Sequence, residues 1–461
     1  MGRRLMGGLP GFTDLRVKIE TISSSNFSVT RQIVGATTTV AVTTALVALV
    51  SIPRELLIAA HFGTGDVADA FLVALVVPTF VLGVLGGSIA SAFVPAYLRV
   101  VEQEGEEAGT RLLRELTTLF VGLLSVVSFI VGLISPYLLR VIASGFAGAK
   151  LMMTQQALLA LLITVPLGGM SALWAAALNA KGAFAVPSLS QGIVPVAGIC
   201  ALLVFPGAGI EALTVGMVAG FALRALILAW ALHRRGVAIA PRWSAPSEEL
   251  RRVGRQYAPM AAASLLMGGT TIVDQAVAAS LGSGSVATLG YGLKFVTLAT
   301  SLGSLALGTA VLPFLSRMVA VDDWPQLRAT VRTFSLLALL ATLPVAVVGS
   351  VYAIPLVSLL YQRGAFSSAD TVAVAQVLTL GVWQIPFFAV GTVFSRLISS
   401  LGANQLLLVQ AAMVLVLDIV LDVTLARYAG VAGIALATTL IYGVSLIFLV
   451  LAARIALGRR Q

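Results

Sequence analysis

Apolar residues run along this chain in long blocks, separated by short polar stretches that carry glycine, proline and basic residues. The blocks lie at about 34–62, 68–98, 114–142, 152–180, 186–207, 211–233, 255–281, 285–318, 329–359, 370–401, 404–426 and 429–457. An α-helix crosses the hydrocarbon core with roughly 20 apolar residues, and each block reaches that length. The pattern predicts an all-α integral membrane protein of about twelve transmembrane helices. Blocks longer than the minimum predict tilt or extension beyond the membrane. Proline and glycine inside them are tolerable because neighbouring helices and water can satisfy the freed backbone groups.

Composition strengthens this reading: 59% of residues are apolar and 10% charged, whereas soluble domains carry about 25% charged residues. The longest polar stretches, about 101–113 and 234–254, are too short for an independent soluble domain. A catalytic domain is therefore excluded, and a membrane transporter is the expectation. The single cysteine, Cys200, excludes an intramolecular disulfide, and two histidines leave little for metal chemistry. No stretch has the G-x-x-x-x-G-K-[ST] spacing of a phosphate loop. No cofactor is expected, and an ion gradient or the membrane potential is the expected energy source.

The net charge of +10 changes meaning once the spans are placed. With a cytosolic N-terminus, 21 of the 29 Lys and Arg residues fall on the cytosolic side. Arg140, Lys150, Arg363 and Arg427 fall outside, and Arg54, Arg224, Lys294 and Arg396 lie within spans. This asymmetry is the positive-inside pattern, so the basic balance reflects topology and nucleic acid is not an expected partner. The prediction is a multi-pass protein of the bacterial cytoplasmic (inner) membrane with both termini cytosolic. Residues 1–33 read as a basic cytosolic arm, without the apolar centre of a cleavable signal peptide.

The chain also repeats. Pro95 and Arg99 match Pro313 and Arg317 at an offset of 218, Pro136 and Gly145 match Pro355 and Gly364 at 219, and Pro166 and Gly182 match Pro386 and Gly402 at 220. Two six-helix bundles are expected, residues 34–233 and 255–461, joined by a cytosolic linker at 234–254. With six spans per repeat, both halves enter the membrane the same way, and a substrate site is expected in a cavity at their interface.

Charges inside spans are costly and are candidates for function. Arg54 follows Pro53, which is expected to kink the first helix, and precedes Glu55, its nearest partner. Lys294 sits in a glycine-rich stretch. Arg224, Asp274, Arg396 and Asp418 are candidates for cavity lining or ion coupling, with pairing of the arginines to Asp274, Asp418 or Asp422 as the structural alternative. Asp69 opens the second span, where it is expected to cap its own helix. Gly83, Gly86, Gly87, Gly303 and Gly308 are expected to allow close packing or hinging. The acidic run Glu102 to Glu107 reads as a solvated loop.

Several stretches resemble the MviN/MurJ lipid II flippase family. They are Asp69-Ala70-Phe71 followed by Ala92-Phe93-Val94-Pro95, then Gly284-Ser285-Val286, Gly308 to Ser316, and Leu360 to Phe366 with Asp370 behind it. The likeness runs from about residue 35 to 455. That family belongs to the multidrug/oligosaccharidyl-lipid/polysaccharide exporter superfamily, whose core is two six-helix bundles around a central cavity. The resemblance implies that Arg54, Glu55, Asp69 and Lys294 surround a polyprenyl-diphosphate-linked glycan within the membrane lipids, with lipid II for peptidoglycan as the leading substrate. It also implies cell-wall or polysaccharide synthesis enzymes as partners. The family carries a further arginine where this chain has Ala48, and charged residues at positions matching Val81, Leu82 and Gly86. Its two additional C-terminal helices have no counterpart in these residues. A flippase for an exopolysaccharide or O-antigen unit therefore stays open, as do a cation-coupled multidrug exporter and a non-transporting scaffold.

Overall fold

The computed structural model describes residues 42, 43, 46, 47, 49–241 and 248–458. The N-terminal arm, Ala48, and the basic residues Arg242, Arg459 and Arg460 lie outside the described residues. Those described are helical almost throughout, with no strand among them.

In the N-terminal half, α1 (49–62) is followed by α2 (Asp66–Val81) and α3 (Gly87–Glu104), then by α4 (Glu106–Ile142) and α5 (Gly148–Leu161). After these come α6 (Thr164–Ala180), α7 (Ala185–Ser190), α8 (Ile193–Val204) and α9 (Gly209–His233). The C-terminal half contains α10 (Glu248–Ser280), α11 (Ser285–Ala320), α12 (Trp324–Val351), α13 (Ala353–Tyr361), α14 (Ser368–Gly381), α15 (Gln384–Ser400) and α16 (Asn404–Gly458). Eight helical stretches among the described residues are long and apolar enough to cross a membrane. One is α16, which holds two of the predicted spans and reverses its backbone at Gly430, where φ is 57°. With α1, α10 and α11, each predicted span has a helical counterpart. The chain is a multi-pass membrane protein.

Two boundaries differ from expectation. Residues 101–113 are helical rather than a loop, because Gly105 alone, at φ 88°, turns the chain between α3 and α4. The acidic run sits at these helix ends, and Glu106 forms an ion pair with Lys181. The second span is not a single α-helix either, since a π turn, Leu82–Gly86, separates α2 from α3. One carbonyl it frees, that of Leu85, accepts a hydrogen bond from the Tyr257 hydroxyl of α10 at 3.0 Å.

The repeat seen in sequence recurs in the way helices break. The α-helical hydrogen-bond ladder is interrupted at residues 162–163, between α5 and α6, and again at 382–383, between α14 and α15, although the backbone stays in the right-handed region at both. The offset is 220, and each break lies three residues before a proline of the matched pair, Pro166 or Pro386. A proline early in a helix needs no amide partner, so the second segment can start afresh there. The turn Gly63-Thr64-Gly65 likewise matches Gly282-Ser283-Gly284 at 219, and all four of these glycines except Gly65 have positive φ.

The two halves meet at the arginine-poor end of the molecule, the distal end. A Cβ on Gly145 would lie 2.3 Å from the carbonyl oxygen of Ala279, and one on Gly364 would lie 2.2 Å from that of Ala60. Both members of each contact are repeat mates at an offset of 219, so the halves clasp one another reciprocally. Gly83, Gly87 and Gly303 have open space where a Cβ would stand. Gly86 is buried, with Leu82 and Ala172 at 3.9 and 4.0 Å from where its Cβ would stand, and the surroundings of Gly308 lie outside the described residues.

Beneath this clasp Tyr291, Tyr361 and Phe366 pack ring against ring, with centroids 5.3–5.9 Å apart. Leu56 and Phe62 of α1 pack against the same buried cluster. The distal end is shut by backbone contacts above and aromatic rings below.

Candidate functional site

Glu55 and Lys294 come from different halves and meet at similar depth. Glu55 lies eight residues from Gly63, about 12 Å of helix, and Lys294 ten residues from Gly284, about 15 Å. The Glu55 Oε1 accepts from Arg54 Nη2 at 2.5 Å and from Lys294 Nζ at 2.9 Å. Adjacent helical residues do not face each other, so the Arg54–Glu55 contact relies on the length of the arginine stem. That stem lies against Gly198 of α8, where a Cβ would come 3.3 Å from Arg54 Cδ.

The exposures decide what this cluster can do. The Glu55 side chain is 9% exposed, Arg54 19% and Lys294 45%. Lys294 is therefore open to its surroundings, whereas the carboxylate is tucked behind it. One carboxylate holds two cations, leaving a net positive site, and Arg54 Nε is buried without a partner among the described residues. Such a site can accept an anion with several oxygens, since charge-assisted bonds from a guanidinium and an ammonium replace lost hydration.

Asp69 does something other than expected. It does not cap its own helix and does not join the Arg54 cluster. It is fully buried, accepts from the amides of Gly284 at 2.7 Å and Ala287 at 2.8 Å, and from Lys150 Nζ at 2.7 Å. It thus caps α11, in the other half of the molecule, because the reciprocal turns bring that helix start over α2. Lys150 also reaches Asp66 at 2.8 Å, and Asp66 accepts from Ser283. On the opposite side Asp370 accepts from Thr64 at 2.5 Å while forming a capping box with Ser367. These groups form a polar lock across the distal clasp, and with its oxygens occupied Asp69 offers nothing to a substrate in this conformation.

A second acidic site lies in the C-terminal half. Asp274 of α10 faces Asp418 and Asp422 of α16, one oxygen of each within 4.8 Å of the others. Asp418 and Asp422 are 2% and 0% exposed. Asp274 Oδ1, Asp418 Oδ2 and both Asp422 oxygens have no hydrogen-bond partner among the described residues. The expected pairing of Arg224 or Arg396 with these carboxylates is absent among the described ion pairs, and the Nε atoms of both arginines are buried without a partner. Opposite charges in different helices pair only when both face one gap, and here the carboxylates face one another. Three carboxylates so confined cannot all remain charged unless protons or a cation neutralise them.

The amino-terminal part of α10 lies on the other half instead. Tyr257 bonds Leu85, Ser264 approaches Ser88 at 3.1 Å, and Phe80 would touch a Cβ on Gly268 at 3.0 Å. Of the residues matching the family's missing charges, Leu82 and Gly86 belong to the π turn in this contact and Val81 ends α2 just before it. Sequence reasoning missed Lys150, Ser283, Asp370 and Tyr257. Ser283 lies inside a glycine turn that repeats at an offset of 219 and Asp370 follows a stretch shared with the family, whereas nothing in the sequence marks Lys150 or Tyr257.

Known proteins share this architecture. The structure described as lipid II flippase MurJ in an inward closed conformation superposes with a TM-score of 0.79 at 21% identity, covering 90% of this chain and 87% of that one. An inward-facing transporter of the multidrug resistance MATE family gives 0.74 at 14% identity, covering 89% and 93%. An outward-facing transporter of that family gives 0.58 at 16% identity. Among sequences, the probable lipid II flippase MurJ of Synechocystis is 27% identical over 87% of this chain and 77% of its own length. The lipid II flippase MurJ of Burkholderia cenocepacia is 26% identical over 74% and 68%. The probable lipid II flippase MurJ of Rhizobium meliloti is matched over 64% of its length. The profile described as Lipid II flippase MurJ matches residues 58–459, and the chain belongs to that family of transporters.

Proposed function

We propose that this chain moves lipid II across the bacterial cytoplasmic membrane by alternating access, with both termini cytosolic. The observation that carries the reading is the bridge from Arg54 through Glu55 to Lys294. It sets two cations at one depth between the halves, with Lys294 exposed and the distal end closed. A diphosphate entering from the basic side meets a guanidinium fork and an ammonium, and its polyprenyl tail stays in lipid. Rocking of the halves would break the reciprocal clasp, open the distal end and close the basic end. The reactions on either side are those that build and polymerise the lipid-linked glycan.

Coupling is assigned to the Asp274–Asp418–Asp422 cluster. A proton or monovalent cation bound there neutralises carboxylates at one end of α10, whose other end rests on α3 and the π turn. Its occupancy can therefore bias where α10 lies.

The test is binding of lipid II, and of a polyprenyl diphosphate with an uncharged sugar, to purified protein by native mass spectrometry. Wild type is compared with Arg54→Ala/Lys294→Ala. Lipid II selectivity lost in the double variant is the expected result. Equal binding of both lipids, lost in the variant, would redirect the substrate to another lipid-linked glycan. Binding indifferent to the substitutions would sink the diphosphate site and favour a cation exporter or scaffold.

A further inference from the structure

The C-terminal half carries a groove of about 670 Å³ between α12, α15 and α16, lined by no described residue of the N-terminal half. Its walls are apolar, with Leu339 and Phe394 among them, and Arg328, Arg332 and Arg454 stand at it. Arg328 and Arg332 are four residues apart and so share one face of α12, while Arg454 comes from the last turns of α16. All three are exposed, and none is in an ion pair among the described residues.

Membrane topology alone requires arginines at this end of the molecule, but it does not require them to converge on a groove. Two further facts point to an occupant. Ser335 lines the groove one turn beyond Arg332, and its hydroxyl is buried with no hydrogen-bond partner among the described residues. The groove is also continuous with an exposed apolar face of α12, in which Leu336, Leu340 and Val351 are 47%, 65% and 69% exposed. Its mouth therefore opens into hydrocarbon, and its basic rim stands at the depth of headgroups, one to two turns from Trp324.

We propose that this groove binds an anionic glycerophospholipid, its phosphate held by Arg328, Arg332 and Arg454 and an acyl chain laid along Leu339 and Phe394. Three uncompensated cations match an anionic headgroup and not a zwitterionic one, whose own ammonium would meet the arginines. The site is separate from the Arg54–Lys294 cluster and stands whichever glycan is carried.

Delipidated protein would be titrated with phosphatidylglycerol and with phosphatidylethanolamine, and retained lipid counted by native mass spectrometry. Wild type is expected to hold phosphatidylglycerol about tenfold more tightly than the Arg328→Gln/Arg332→Gln/Arg454→Gln variant. Leu339→Trp, which fills the groove and keeps every charge, should lose the lipid as well. Arg251→Gln/Arg252→Gln/Arg255→Gln, at the basic start of α10, should keep it. Equal retention of the two lipids, or equal losses in the control and the groove variant, would overturn the proposal. So would a polyprenyl phosphate that displaces phosphatidylglycerol from the Arg54→Ala/Lys294→Ala protein, since the groove would then belong to the substrate's tail.

Discussion

Gly364 presses directly on the carbonyl oxygen of Ala60, and no residue with a Cβ could take its place without moving that strand of contact. The left-handed backbone of Gly364, at φ 61°, adds a second restriction. The neighbouring Ala365 amide donates to the same Ala60 oxygen at 2.8 Å. Through these few atoms the C-terminal half closes the distal end of the N-terminal half.

Gly364→Ala is therefore expected to loosen the clasp rather than unfold the bundle. A left-handed backbone costs a non-glycine residue about 1–2 kcal/mol, and the steric contact adds to that. Hydrogen exchange at the Ala365 amide should quicken by about tenfold or more, since about 1.4 kcal/mol is a factor of ten in an opening equilibrium. Exchange in α4 should not change. Unchanged exchange at Ala365 would show that the clasp does not bear the closure.

Removing the Asp69 carboxylate tests its role across the two halves. A cap of its own helix would be worth about 1 kcal/mol. A buried acceptor of Lys150 and of two amides at the start of α11 should cost about 3–5 kcal/mol when deleted. Asp69→Ala should thus lower the thermal midpoint of the purified protein well beyond Asp66→Ala, because Asp66 is half exposed and accepts only from Lys150 and the Ser283 hydroxyl. Similar shifts for the two would return Asp69 to a local cap.

Glu55 competes with any anion for Arg54 and Lys294. Glu55→Gln should free both cations, tightening polyprenyl diphosphate binding by about tenfold while slowing transport, because release then lacks the carboxylate that recaptures them. Titration of lipid into the purified variant measures the first effect, and a vesicle flipping assay the second. Weaker binding by Glu55→Gln would mean that the carboxylate positions the arginine instead.

The acidic cluster predicts a dependence on cations. Asp274, Asp418 and Asp422 repel one another unless neutralised, so sodium should raise the thermal midpoint of the wild type if a monovalent cation binds. Asp274→Asn/Asp422→Asn should be more stable without added cation and insensitive to it. A double variant that still responds to sodium would place the coupling site elsewhere.

The solvent, the number of spans and the repeat were legible in the chain without its fold. Those follow from the length of apolar blocks, which the bilayer thickness constrains, and from prolines that reset a helix at 162–163 and again at 382–383. It also pointed to Arg54, Glu55 and Lys294, because a charge in an apolar span is conspicuous without any knowledge of its neighbours. What Asp69 touches was decided only in three dimensions. Its sequence position resembles an ordinary helix start, yet the pseudo-symmetric turns place the start of α11 above it, and a carboxylate takes the amides nearest to it in space. The same holds for Asp274 with Asp418 and Asp422, about 145 residues apart in the chain, and for the Tyr257 bond to Leu85, where a π turn leaves a carbonyl free. Hydrophobic patterning fixes which segments enter the membrane, but partners of polar groups inside it are set by helix packing, which single-chain spacing does not encode.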